Sequence, residues 1–232
     1  MNLAADTRPA GTLGLQVLRA QPEGWPAREL TLAEIARYGM AQPGLPAAVN
    51  TWRRANRLHL ARGLRRVLAA RALRLPHFYG QLFLTVLRAG GHADHLGLAS
   101  LRVVTTAGVR FICDDFNAGG TDVSNMKFHA LGTGTNAEAA ADTALQTELT
   151  TQYQTDNTRP TGSQASATVS ANATYTTVGT VTVDAAVAAT EHGIFSASSA
   201  GTLLDRSVFS VVNLASGDSL QATYVLTLNS GG

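Results

Sequence analysis

"GIFSASSAGTLLDRSVFSVVNLASGDSLQATYVLTL", residues 193–228, decides how the rest of the chain is read. Runs rich in Val, Leu, Phe and Thr are broken by "SSAG" at 198–201 and "SGD" at 216–218. The last run alternates. Leu220, Ala222, Tyr224 and Leu226 fall on one face and Gln221, Thr223 and Thr227 on the other, which is the two-residue period of a strand. Short glycine-bearing turns between such runs join antiparallel neighbours.

The same texture extends upstream. "ATVSANATYTTVGTVTVDAAVAAT", residues 167–190, supplies further Thr/Val-rich strands punctuated by Gly179. "QLFLTVLRAGGHADHLGLASLRVVTTAGVRFICDDF", residues 81–116, reads as a strand, a turn at Ala89–Gly91 and more strand. The expectation is a mainly β domain over residues 77–232, an antiparallel β-sandwich of jelly-roll or immunoglobulin-like kind. One helical insertion is expected within it, in "LGTGTNAEAAADTALQTEL", residues 131–149.

That insertion first suggests a phosphate loop, but the chemistry is wrong. A P-loop needs Lys directly after its last glycine, and a dinucleotide fingerprint needs a third glycine in a parallel βαβ unit. "GTGTNA" has neither. Thr135 with Glu138 instead matches a helix capping box, Asp142 or Thr143 with Gln146 could start a further turn, and Leu145 and Leu149 are spaced to dock on the sheets.

Residues 1–76 differ in kind. They hold twelve arginines, no lysine and four acids, a balance of +8, whereas residues 77–232 carry −6 within an overall +2. Prolines at 9, 22, 26, 43, 46 and 76 cut the segment into short pieces. "TLAEIARYGM", residues 31–40, predicts a helix capped by Thr31 and Glu34. Residues 50–75 predict a longer basic helix, with Leu60, Leu64, Val67 and Leu68 on a face interrupted by Arg65, Arg66 and Arg71. The segment reads as a basic N-terminal extension, helical or poorly ordered. Three roles compete for it: a loosely ordered appendage, a face for a partner protein, and an arm for nucleic acid through residues 50–75. No aromatic platform accompanies the arginines.

Cys113 is the only cysteine, which excludes an intrachain disulfide and a cysteine-based zinc site. Its setting in "VRFICDDF" predicts a buried strand thiol. The chain has no apolar run of membrane-spanning length and opens without the order of a secretory signal, so a soluble protein with no membrane partner is expected.

Other chemistry-bearing groups are sparse. "HADH" sets His92 and His95 around Asp94, without the helical spacing that aims two imidazoles at one metal. Asp114, Asp115 and Asp122 lie in "CDDFNAGGTD" but lack the alternating order of a calcium loop. His192 in "TEHGIF" reads as a structural histidine. There is no G-x-S-x-G elbow. No catalytic, cofactor-binding or metal-ligating residue is assigned, no cofactor is expected, and a non-enzyme is the expectation.

Four stretches carry a resemblance: "LGLASLRVVTTAGVRFICDDF", "FHALGTGTNAEAAADTALQTEL", "TEHGIFSASSAGTLLDRSVFSVVNL" and "GDSLQATYVLTL". Over about residues 80–232 the chain resembles virion structural proteins of tailed bacteriophages. The resemblance implies a capsid decoration or cement protein that bridges major capsid subunits in the virion, assembled in the host cytoplasm as a dimer or trimer. A tail or fibre component that touches the host surface is the alternative. A carbohydrate-binding or hydrolase module on a sandwich fold is the third reading.

Overall fold

The structure is a computed structural model, and it describes residues 30–73, 77–117, 122–169 and 172–229. Residues 1–29 and 74–76 of the basic segment, the latter including the end of the 50–75 stretch, and residues 118–121 of "CDDFNAGGTD" lie outside the described residues.

The fold is mixed α/β, with two antiparallel sheets and a few helices. Helices α1 (Leu32–Gly39) and α2 (Ala47–Ala72) precede strands β1 (His77–Leu87) and β2 (Ala93–Val103). Helix α3 (Thr106–Phe116), a 3-10 turn (Val123–Asn125) and strand β3 (Phe128–Gly132) follow. Strands β4 (Ser163–Val169), β5 (Asn172–Thr182), β6 (Val187–Phe195), β7 (Leu203–Leu214) and β8 (Ser219–Asn229) complete the chain order. One sheet runs β2-β1-β8-β5-β4 and the other β3-β6-β7.

Both sheets feed one core. Leu82, Leu84, Leu220 and Ala222 from the five-stranded sheet cluster with Leu131, Ala189, Phe209 and Val212 from the three-stranded one. The alternation of the last strand is real, but both of its faces are buried. Val225 belongs to a second cluster with Leu30, Ile35, Tyr38 and Leu60, so α1 and α2 help cover the opposite side of the sheet. A strand in mid-sheet with both faces covered loses its apolar-in, polar-out signature.

Helix α1 begins as its sequence predicts. The Thr31 hydroxyl accepts from the Glu34 N–H, and the Glu34 carboxylate accepts from the Thr31 N–H at 2.8 Å. Helix α2 buries a face that sequence hydropathy does not mark: Trp52, Arg53 and Asn56 lie on it beside Val49, Leu60 and Val67. Leu64 is partly buried against the same cluster and Leu68 stays exposed. Gly63 sits on β2 so closely that a β-carbon would overlap the Leu101 carbonyl. Arg65 and Arg66 point to solvent, while Arg71 donates to the Leu30 carbonyl at 2.7 Å.

Two expectations are corrected. "TAGVRFICDDF" is helix α3, not strand. Thr105 fixes its start: the hydroxyl accepts from the Gly108 N–H at 2.9 Å and donates to the Leu203 carbonyl at 2.7 Å. Tethered to β7 in this way, the segment turns out of the sheet, and Cys113 is exposed rather than buried. Residues 133–149 hold no helix; they form an irregular loop with bends and turns. The two packed antiparallel sheets therefore stand, within a mixed α/β fold, but the helix between their strands is α3 and not residues 131–149. Among the described residues, no helix is long and apolar enough to cross a membrane.

Candidate functional site: a buried ionic clamp beneath the edge loop

The loop 133–149 crosses the outer edge of β3. Thr133 N–H donates to the Thr147 carbonyl and Leu149 N–H to the Leu131 carbonyl, both at 2.9 Å. Its centre is Glu191 of β6, a carboxylate with no exposed surface. One oxygen accepts from Gly134 N–H at 3.0 Å and Thr147 N–H at 2.7 Å. The other accepts from Gln146 N–H at 3.0 Å and from the Arg206 guanidinium at 2.8 Å. Three main-chain donors and an arginine thus converge on one buried anion, the arrangement that makes a buried charge tolerable.

The two glycines of the motif serve this approach. A β-carbon on Gly132 would run into the Thr147 carbonyl, and one on Gly134 into the Glu191 carboxylate. Asp142 adds a second anchor, accepting from Ala139 N–H at 2.9 Å and from Arg206 at 3.0 Å. Glu138 pairs with buried Arg102 of β2. The side chains that would have started a helix are spent on tertiary partners, which is why the capping box with Thr135 does not form. Leu145 and Leu149 do dock, at 6% and 7% exposure.

Behind the clamp lies a second polar layer. Asp205 and Arg102 are both buried, and each shifts toward neutrality. Burial raises the Asp205 carboxyl to about 6, with Arg102 opposing that rise. Burial lowers the Arg102 guanidinium to about 9. Farther along, His129 of β3 and His192 of β6 meet at 3.1 Å between Nδ1 and Nε2, and His129 Nε2 reaches the Thr177 hydroxyl at 3.1 Å. Burial holds both imidazoles below the usual range, His192 at about 3, and His192 adds to the lowering of His129. Both rings are therefore neutral near pH 7.

Of the residues singled out in sequence as chemistry-bearing, His192 joins this interior, and Glu138 and Asp142, read there as helix-start residues, reach it from the loop. His92 is exposed at the β1–β2 hairpin tip, Asp94 pairs with Arg88 at 3.1 Å, and His95 Nδ1 meets the Thr85 hydroxyl at 3.2 Å. Asp114 and Asp115 lie on α3, whereas Asp122 caps the 3-10 turn by accepting from Ser124 N–H. Among the described residues no group of three or more His, Cys, Asp or Glu could hold a metal. Arg54, Arg57, Arg62, Arg65 and Arg66 of α2 are exposed, and the helix contains no acid.

Glu191, Arg206, Asp205, Arg102 and His129 escape a reading by motif. The signal available was charge inside apolar strands, "TEHGIF" and "TLLDRSVF", where a buried ion demands partners.

A hollow of about 470 Å³ opens beside Tyr153, Asp156, Arg159, Thr180 and Ser198. Its one guanidinium is already engaged: Arg159 makes two bonds to Glu148, at 2.6 and 2.8 Å, and stacks over Phe195 at 3.5 Å. A second hollow, about 260 Å³, is apolar, lined by Ile112, Phe116, Val123, Met126, Leu204 and Leu228. Phe116 is 87% exposed at its rim.

Fold and site together define a class: a two-sheet antiparallel α/β protein whose edge loop is clamped by a buried ionic cluster. Compared with protein-family models, curated proteins and solved structures, the chain matches none.

Proposed function

We propose that this chain is a non-enzymatic structural protein of a bacteriophage particle, of the capsid decoration or cement kind. One observation carries the reading beyond the resemblance over residues 80–232. Two of the buried charges are saturated by groups that fix shape, Glu191 by three main-chain donors and Arg206, and Arg159 by Glu148. A carboxylate so fully engaged holds a loop and has no lone pair left for proton transfer. What the molecule offers outward is surface, including the apolar hollow rimmed by Phe116, and contiguous exposed apolar area marks protein contacts.

In this reading many copies bridge neighbouring major capsid subunits, and weak contacts gain strength by multivalency. The pairing of the first strand, β1, with the last, β8, supports a jelly-roll kind of sandwich over an immunoglobulin kind within this reading. The test is to count copies per particle and locate them by imaging. Cement predicts a copy number that matches the capsid lattice and filled heads that become fragile without the protein. Few copies at the tail, with normal heads that fail to adsorb, would replace it by the tail or fibre reading.

A second partner follows from α2, where Arg54, Arg57, Arg62, Arg65 and Arg66 form an exposed cationic face without an acid on the helix. That face suits nucleic acid or another polyanion. Binding to a random-sequence duplex should weaken with salt at a log–log slope of about −4, near 0.9 per phosphate neutralised. No binding at low salt would sink this reading.

A further inference from the structure

Among the described residues the two sheets end in β2, β4, β3 and β7, and three of these ends are closed by the chain itself. Over β2 and β7 lies α2. Arg53 Nε donates to the Leu96 carbonyl at 2.8 Å and Asn56 Nδ2 to the Ala99 carbonyl at 2.8 Å. Trp52 Nε1 donates to the Ser210 carbonyl, and Asn56 Oδ1 accepts from the Ser210 N–H, both at 2.9 Å. Over β3 lies the loop, with Tyr153 adding a bond from its hydroxyl to the Leu131 carbonyl. A buried edge needs such partners, and an exposed edge needs a device against pairing: charge, proline or a bulge.

β4 has none of these. Its seven residues, "SQASATV", contain no charge and no proline. Its register with β5 runs unbroken from Ser163↔Val178 to Val169↔Asn172. Ser163, Gln164, Ala165 and Ser166 are exposed. The Gln164 amide donates to the Ser124 carbonyl at 2.8 Å and to the Tyr175 hydroxyl at 2.7 Å. Alternate residues of an edge strand aim N–H and C=O outward.

We propose that β4 is a self-association edge on which a second copy of this chain adds its own β4, antiparallel about a two-fold axis. Antiparallel pairing of a strand with itself is isologous, so the same patch serves both copies. Because β4 is uncharged, the pairing sets no like charges opposite one another, and an acidic or basic peptide would find no counter-charge there. Small Ser and Ala side chains let the two five-stranded sheets continue as a single sheet of ten, within the span open sheets reach. Full overlap puts Ser166 on the axis. The inference concerns the chain's assembly and does not depend on a phage particle.

Sedimentation equilibrium and hydrogen exchange on the full chain test it. The expected result is a dimer that dissociates on dilution, with the amides of residues 163–169 slow in the dimer and fast in the monomer. Ala165→Lys brings two like charges together across the axis and should weaken the dimer at least tenfold, with circular dichroism unchanged. A second variant works independently of that one: Cys113→Ser with Ser166→Cys should oxidise to a disulfide-linked dimer. A monomer at every concentration overturns the proposal, as does a dimer whose β4 amides exchange fast or a failure of Ser166→Cys to cross-link.

Discussion

Helix α2 and the loop 133–149 each close the edge of a sheet, the helix over β2 and β7 and the loop over β3. The helix satisfies its own backbone and spends side chains on the edge: Trp52, Arg53 and Asn56. The loop spends its backbone on the edge and needs a carboxylate from the sheet, Glu191, to satisfy what remains. Regular structure is locally cheap and leaves side chains free for tertiary work. Irregular structure reverses the roles, so its stability is concentrated in a few buried ions.

That asymmetry gives the largest expected effect. Glu191→Ala leaves Arg206 with only Asp142 and the Asn136 carbonyl and orphans three main-chain donors, a loss of about 3–5 kcal/mol by analogy with broken buried pairs. Denaturant melts would measure it. A loss below about 1 kcal/mol would show that the loop is held by Leu145 and Leu149 instead.

Acid attacks the interior between the loop's strands. His129 and His192 are depressed below their unfolded values by burial, so their contribution is full above about pH 6.5 and is lost as pH falls toward the folded pKa. Asp205 runs the other way. Raised to about 6, it favours the fold more below its unfolded pKa and offsets part of the histidine loss between about pH 6 and 4. His192 is shifted further than Asp205, and His129 is lowered in the same sense, so stability should fall between about pH 6.5 and 4. His192→Gln should flatten the slope. An unchanged slope would mean that other groups govern acid unfolding.

The helix side of the comparison is broken at Asn56. Asn56→Ala removes the partner of the Ala99 carbonyl and the Ser210 N–H at a fully buried position, at a cost of about 2 kcal/mol for groups left unsatisfied. The expected loss is smaller than at Glu191 because the helix keeps its own ladder. Exchange at Ser210 N–H should accelerate along with the loss of stability.

The sequence was legible where one residue's local role is also its tertiary role. The turns at 89–91 and 198–201 join paired antiparallel strands as expected, whereas the turn at 216–218 carries the chain from β7 in one sheet to β8 in the other, secured by Asp218 accepting from Ala215 N–H at 3.0 Å. It misled where a residue serves two masters. "VVTTAGVRF" has strand composition, but Thr105 bonds to β7 and starts a helix. The clamp was the least legible, because its members are far apart in sequence: Glu191 and Arg206 come from neighbouring strands, Asp142 reaches them from the loop, and Glu138 meets Arg102 of the other sheet. Spacing rules read along the chain and do not see such meetings.

Two threonines with the same local motif separate these cases at the smallest scale. Thr31 and Thr135 each precede a glutamate by three positions, Glu34 and Glu138. At Thr31 the box closes: its N–H donates to Glu34 at 2.8 Å and its hydroxyl accepts from the Glu34 N–H at 3.3 Å. At Thr135 the glutamate has turned to Arg102 and the threonine is exposed. Thr31→Ala should therefore cost about 1 kcal/mol, the usual worth of an N-cap, and Thr135→Ala should stay within about 0.5 kcal/mol of the parent. Equal losses in thermal melts would mean that the loop visits the helix its residues spell. Unequal losses would mean that Arg102 and Glu191 outbid local capping for the same side chains and amides, which is the physical reason the motif misreads.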